Sequence, residues 1–279
     1  MSKEKNEVAT QAPTGVPALY DYGANAGKGF SKTTQADFAM PFIAILQSNS
    51  PQIADESERI AGAVPGMLHN TVTNRVTDGK KGIVFVPCHT EHVFTEWVPR
   101  NKGGGFSGRH ELGSEVIAEA VNSGRRSEKG NRPLLKNGNE LVETFYVYGL
   151  ILDDVGAVDF SEMVVLAFTS TKIKKYKKMM TTIRTCKPLA NAPLFAHRLR
   201  VRTVQESNAQ GTFYNFDISP AIEGDDPTVA SAISPVLGEQ PHPLLVAGAK
   251  LEEQIVGGLA RPNYESQKGE GGGSADPVF

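Results

Sequence analysis

The chain has 279 residues, enough to bury a sizeable core, with 39% hydrophobic and 22% charged content, ordinary values for a soluble globular protein. A net charge of −2 predicts nothing about partners by itself, and two cysteines are too few for a disulfide scaffold, which fits a reducing compartment. No stretch approaches the roughly 18 consecutive apolar residues of a membrane-spanning helix.

Residues 1–32 are polar and rich in Gly, Ala and Pro, and read as a flexible arm. The opening "MSKEKNEVATQAPTG" lacks the apolar core of a signal peptide, so the expected location is the cytoplasm. The ordered body is expected over roughly 33–258, with its main domain at 33–220. "GIVFVPCHTEHVFTEW" (82–97) is β-branched and aromatic and predicts a strand, with Pro87 marking a bend or an edge. Residues 100–140, with "NKGGGFSGRHELG" and "SGRRSEKGNRP", read as a long loop. Further strands are expected at "LVETFYVYGLIL" (141–152) and "EMVVLAFTST" (162–171), separated by the turn-like "DDVGAVD". Ile173, Tyr176, Met179, Met180 and Ile183 then recur at spacings of three and four, which is one face of a helix. Pro188 and Pro193 interrupt the chain before strands at "LFAHRLRVRTV" (194–204) and "TFYNFDI" (212–218), joined by "NAQG". Residues 221–258 form a C-terminal segment whose "HPLLVAGAKLEEQIVGGL" (242–259) reads as a helix starting after Pro243 and stopping at Gly257 and Gly258. Residues 259–279 read as a flexible tail with a Gly run at 271–273.

Strand, strand, strand, helix, strand, strand is the order of a mainly β (α+β) fold. It predicts a five-stranded OB-fold-like Greek-key barrel with a helix between strands 3 and 4, flanked by an N-terminal extension and a C-terminal helix. Such barrels commonly bind oligonucleotides.

Charge is distributed unevenly on this frame. From Lys172 to Arg202 there are ten Lys or Arg and no acid, with Lys172, Lys174, Lys175, Lys177 and Lys178 packed into seven positions. Like charges at i,i+3 and i,i+4 repel on a helix, so an anionic partner is the expected compensation. Arg198, Arg200 and Arg202 alternate with Leu199, Val201 and Thr203, which puts three guanidiniums on one strand face. A solvated face paired with acids is the bland alternative, and Asp217 is the nearest candidate. Tyr146, Tyr148, Tyr176, Tyr214 and Phe106 lie among these cations as candidate base-stacking rings, Phe106 in a Gly-rich loop near Lys102 and Arg109. Trp97 reads as core or rim.

Signals of catalysis fail on spacing. In "GANAGKGF" (23–30), Gly23 and Gly27 are separated by three residues where a phosphate loop needs four, and Gly29 stands where Ser or Thr belongs. "CHTEH" supplies Cys88, His89 and His92, but strict alternation points the first two to opposite strand faces, and a second ligand pair is missing. Cys186 has cationic neighbours but no His near it in sequence. Neither a cofactor nor a metal is implied, and a non-enzymatic protein is expected.

"ADFAMPFIAILQSNSPQ" (36–52), "PGMLHNTVT" (65–73), "FTEWVPRNKGGGF" (94–106) and "STKIKKYKKM" together resemble single-stranded DNA-binding proteins of tailed bacteriophages. The resemblance covers roughly residues 33–220. It implies an OB-fold core and a role in phage DNA replication or recombination within the host cytoplasm. Many such proteins end in a flexible acidic segment with an Asp-, Pro- and Phe-containing tip that docks partners. This chain ends "GEGGGSADPVF", offering Asp276, Pro277 and Phe279 for replication or recombination proteins, although only Glu270 and Asp276 supply nearby acid. The expected function is sequence-tolerant binding and protection of single-stranded DNA, with no membrane partner. A virion structural or assembly protein and a recombination annealase are the rival readings.

Overall fold

The computed structural model describes residues 39–128, 131–152, 162–185, 191–208, 211–221 and 243–264. Three short strands come first: β1 (Ile43–Ile45), β2 (Leu68–Asn70) and β3 (Val76–Thr77), paired antiparallel in that order. One helical turn, α1 (Pro51–Ala54), lies between the first two. The larger sheet contains β4 (Ile83–Trp97), β5 (Phe106–Glu111), β6 (Glu140–Leu152), β7 (Glu162–Thr169), β8 (Leu199–Asn208) and β9 (Gly211–Pro220). Its order is β7-β6-β4-β8-β9, with β5 also on β4. Helix α2 (Glu115–Asn122) follows β5, α3 (Ile173–Thr185) precedes β8, and α4 (Pro243–Val256) comes last.

Five strands with a helix after the third are therefore present in the expected order, but the closed five-stranded barrel is not. β7 and β9 end the sheet on opposite sides and do not pair with each other. The small sheet makes contact with both instead. On one side Phe42 bridges Val165 of β7, whose N–H donates to the Pro41 carbonyl at 2.9 Å. On the other, the Gln47 carboxamide donates to the Tyr214 carbonyl and accepts from the Tyr214 N–H, both at 2.8 Å. Gln47 thus meets the edge of β9 as a strand peptide would. Strands of two or three residues carry too little alternation to be read from sequence, which is why this second sheet went unpredicted.

Two more expectations change. The excursion 100–140 is not a bare loop, since it contributes β5 and α2, and Ala120, Leu135 and Leu141 form a small core there with Phe94 and Ile117. The strand expected at 194–204 opens with a 3-10 turn, Leu194–Ala196, so β8 starts at Leu199. The arm 1–32, "GANAGKGF", Cys186 and the tail beyond Tyr264 lie outside the described residues.

The large sheet separates two apolar clusters. On one face Phe85, Val147, Leu166, Leu199 and Val201 pack with Met179 and Ile183 of α3 and with Ile43, Ile45 and Leu68 of the small sheet. On the other, Val86, Cys88, Tyr146, Tyr148 and Val165 pack beneath Leu244, Leu251 and Ile255 of α4. The C-terminal helix is part of the body rather than an appendage.

A β-bulge in β4 sets which side chains reach which face. The register to β6 shifts between Pro87 and His89, because Pro87 has no N–H to donate and Cys88 becomes the extra residue. Cys88 lies in the cluster under α4, and His89 Nδ1 sits 3.9 Å from Glu252 of α4. Both therefore face α4, against the expectation from strict alternation. Beyond the bulge, Glu91 and Val93 continue on that face, while Thr90, His92 and Phe94 turn to the side of α3.

Candidate nucleic-acid interface

β7 gives way to α3 through a 3-10 turn, Ser170–Lys172, whose first residue adopts a φ of +46°. The helix then does what its periodicity requires. Ile173, Tyr176, Met179, Met180 and Ile183 all pack into the first core. Burying Met179 and Ile183 contributes about 1.5–3 kcal/mol each, against a few tenths for each repelling lysine pair. Packing wins, and the charged face can be left as it is.

That face carries Lys174, Lys177, Lys178 and Arg184, all exposed, and the helix contains no acid. From Lys174 to Arg184 the strip extends about 15 Å at 1.5 Å per residue, a length that meets a few phosphates of an extended strand. Arg184 was not singled out in the sequence, although it continues the three-and-four spacing from Lys177 and Thr181.

The remaining two lysines are engaged inside the protein. Lys172 is 2% exposed, with Nζ 5.9 Å from the centroid of the Phe216 ring. Lys175 pairs with Glu206 of β8 at 2.5 Å, an acid that follows the arginine run in sequence. Burial pushes the Glu206 carboxyl up, but hydrogen bonds from Lys175 and Asn215 outweigh it and hold the group below the usual carboxylate range.

The arginines do alternate with core residues as expected, yet they do not extend the lysine strip. Leu199 and Val201 lie in the cluster that anchors α3, so Arg200 and Arg202 project from the opposite face of β8, with Arg198 just ahead of the strand. Each is half-buried. Arg202 sits directly across from Asp217, 3.8 Å away, and donates to Ser219 at 3.3 Å. Asp217 is the partner that the bland reading required.

The candidate rings are placed less favourably. Tyr146 and Tyr148 are each 1% exposed, covered by α4 and the segment after it, so neither is a stacking platform. Tyr176 is half-buried and stacked on Phe145 at 4.4 Å. Tyr214 is half-buried over Gly66, where a Cβ would come within 2.5 Å of its ring. Phe106 is the first residue of β5 rather than a loop residue, and it stacks on Tyr264 at 4.5 Å and 7°. Trp97 is buried, its indole N–H donating to Thr95 Oγ1 at 2.8 Å. The structure adds a ring file not anticipated, in which His92 stacks on Phe145 at 3.9 Å and Phe145 on Tyr176. His92 Nε2 is also 3.0 Å from Glu143 Oε1. Across-strand register brings this file together, so spacing along the chain gives no sign of it.

Residues 5–232, most of the chain, match the family described as Pam3 phage gp34-like protein. The chain belongs to that family. It is therefore a phage-type protein, as the resemblance in the sequence implied at that coarser level. No curated protein and no solved structure is similar to it. In this gp34-like chain the described residues contain no group of three or more His, Cys, Asp or Glu able to hold a metal, and no helix long and apolar enough to cross a membrane.

Proposed function

We propose that this gp34-like protein binds single-stranded DNA without catalysing a reaction, holding phosphates along α3. The observation that carries the reading is the acid-free strip of Lys174, Lys177, Lys178 and Arg184, displayed on a helix whose other face is fixed in the core. Lys174 lies near Glu206, but Lys177, Lys178 and Arg184 have no salt bridge among the described residues. Cations that recur along one rigid face suit a polyanion with regular charge spacing. The half-buried Tyr176 and His92, stacked on the buried Phe145, are the rings adjacent to the strip, and Arg200 is a peripheral contact for a longer strand at most. Binding of this kind is tolerant of sequence because phosphates carry none. Protection of exposed strands in phage DNA replication or recombination is the role that follows.

The test is a fluorescence anisotropy titration with single-stranded and duplex oligonucleotides at several salt concentrations. Four phosphate contacts at roughly −0.7 each give an expected log–log slope of about −3. Equal affinity for both forms, or a flat response to salt, overturns the proposal.

A further inference from the structure

One edge of β4 pairs with β6 throughout, but the other meets β8 only over Ile83–Phe85 and β5 only over Val93–Trp97. Between them, Val86–His92 has no strand partner on that edge among the described residues. Near Glu91 in this gap, the C-terminal end of α4 and the residues after it enclose a cleft of about 390 Å³. Small-molecule sites run from about 300 to 1,000 Å³. The volume is that of a binding site.

Its floor is polar and its donors are already used. Tyr148 Oη donates to Glu91 Oε2 at 2.6 Å, and Arg109 Nη1 donates to the same oxygen at 3.1 Å. Arg109 Nη2 is taken by Glu111 at 2.5 Å. Among the described residues Glu91 Oε1 accepts no hydrogen bond, while the hydroxyl of Tyr264, also in the lining, lies against Arg109 and Tyr148. A carboxylate oxygen can only accept, so the floor calls for a ligand with N–H groups. The C-terminal end of α4 adds partial negative charge in the same sense.

The walls select shape and a second charge. Ile255, Ala260 and Pro262 are apolar, and the Tyr264 ring is braced from behind by Phe106. Apolar walls with one braced ring among them suit a heterocycle that can stack on it. Arg261 at the rim is exposed, which disfavours an organic cation and suits a ligand with an anionic substituent. Val256, 67% exposed, stands at the mouth.

We propose that this cleft binds a nucleotide whose base carries an exocyclic amino group, with that amino group donating to Glu91 Oε1 and the phosphate near Arg261. It is a second site, on the α4 side of the sheet and separate from the α3 strip.

Calorimetric titration of the full chain with adenosine 5′-monophosphate, and with its N6,N6-dimethyl derivative, tests it. The two share ring and phosphate and differ in the amino hydrogens. Saturable binding of adenosine monophosphate is expected, with the dimethyl compound at least tenfold weaker. Val256→Trp, a change at an exposed position that fills the mouth, should abolish binding with the melting temperature retained. The double variant Lys177→Glu, Lys178→Glu should leave nucleotide binding unchanged, so failure at α3 and failure at the cleft are told apart. No binding at millimolar nucleotide, equal binding of the two compounds, or full binding by Val256→Trp each overturns the assignment.

Discussion

Glu96 draws four side chains onto one carboxylate. Asn139 donates at 2.6 Å, Asn137 at 3.0 Å and Ser107 at 3.3 Å to Oε1, while His110 Nε2 lies 2.9 Å from Oε2. All four come from β5 or the turn before β6, so the carboxylate ties the excursion 100–140 back to β4. Burial raises the Glu96 pKa, but the hydrogen bonds from Asn139, Asn137 and His110 together outweigh it, and the net shift is downward. A depressed carboxyl contributes stability that is complete above its unfolded value of about 4.3 and is lost as pH falls through the folded value. Glu96→Ala should therefore lower stability at pH 7 by about 3 kcal/mol in denaturant unfolding, because buried donors lose their acceptor. The gap between wild type and Glu96→Gln should narrow below about pH 4. A gap independent of pH would show that the carboxylate charge is immaterial. Cys88 makes the opposite case, since burial pushes its thiol up to about 12. Iodoacetamide should leave Cys88 unmodified in the native protein and label it on unfolding, as read by peptide mass mapping.

At the scale of the element, α3 separates stability from binding. Its buried core residues are Met179 and Ile183, and its candidate DNA contacts come from exposed side chains. Lys177→Glu with Lys178→Glu also removes like-charge repulsion along the helix. Circular dichroism and melting temperature should stay the same or rise slightly, while affinity for single-stranded DNA falls more than tenfold, about 1.4 kcal/mol. Arg200→Glu, on the opposite sheet face, should cost less than threefold. An arginine effect equal to or larger than the lysine effect would move the interface to β8. The bulge in β4 acts at the same scale. One extra residue at Cys88 exchanges the two sides of the strand, sending Glu91 to the cleft and His92 to the ring file.

At the scale of the molecule, the two sheets are joined where an OB barrel would close. Gln47 is 5% exposed, and its two hydrogen bonds reach the backbone of a single β9 residue, Tyr214. Gln47→Leu keeps the bulk and removes both, leaving a buried N–H and C=O unpaired. The expected loss is about 2–3 kcal/mol in thermal or denaturant unfolding. Hydrogen exchange at the Tyr214 amide should accelerate with it. If that amide stays as protected as its neighbours, Gln47 is a spectator and the edge of β9 is closed by other means.

Several features follow from the residue string alone. β4, β6, β7, α3, β9 and α4 fall close to where alternation and three-and-four spacing put them, and the alternation of Arg198, Arg200 and Arg202 with Leu199 and Val201 is kept. These are local properties, written in periods of two and of 3.6 that a one-dimensional pattern records. What the tertiary structure decided depends on pairing between distant residues. It put the lysines and arginines on opposite faces of one sheet, because α3 folds onto the side to which Leu199 and Val201 point. It buried Tyr146 and Tyr148, because α4, roughly a hundred residues later in sequence, covers their face. It set a small sheet between β7 and β9 in place of direct closure, through a glutamine side chain that acts like a backbone amide. Periodicity fixes which side chains share a face, and only long-range packing determines what that face meets.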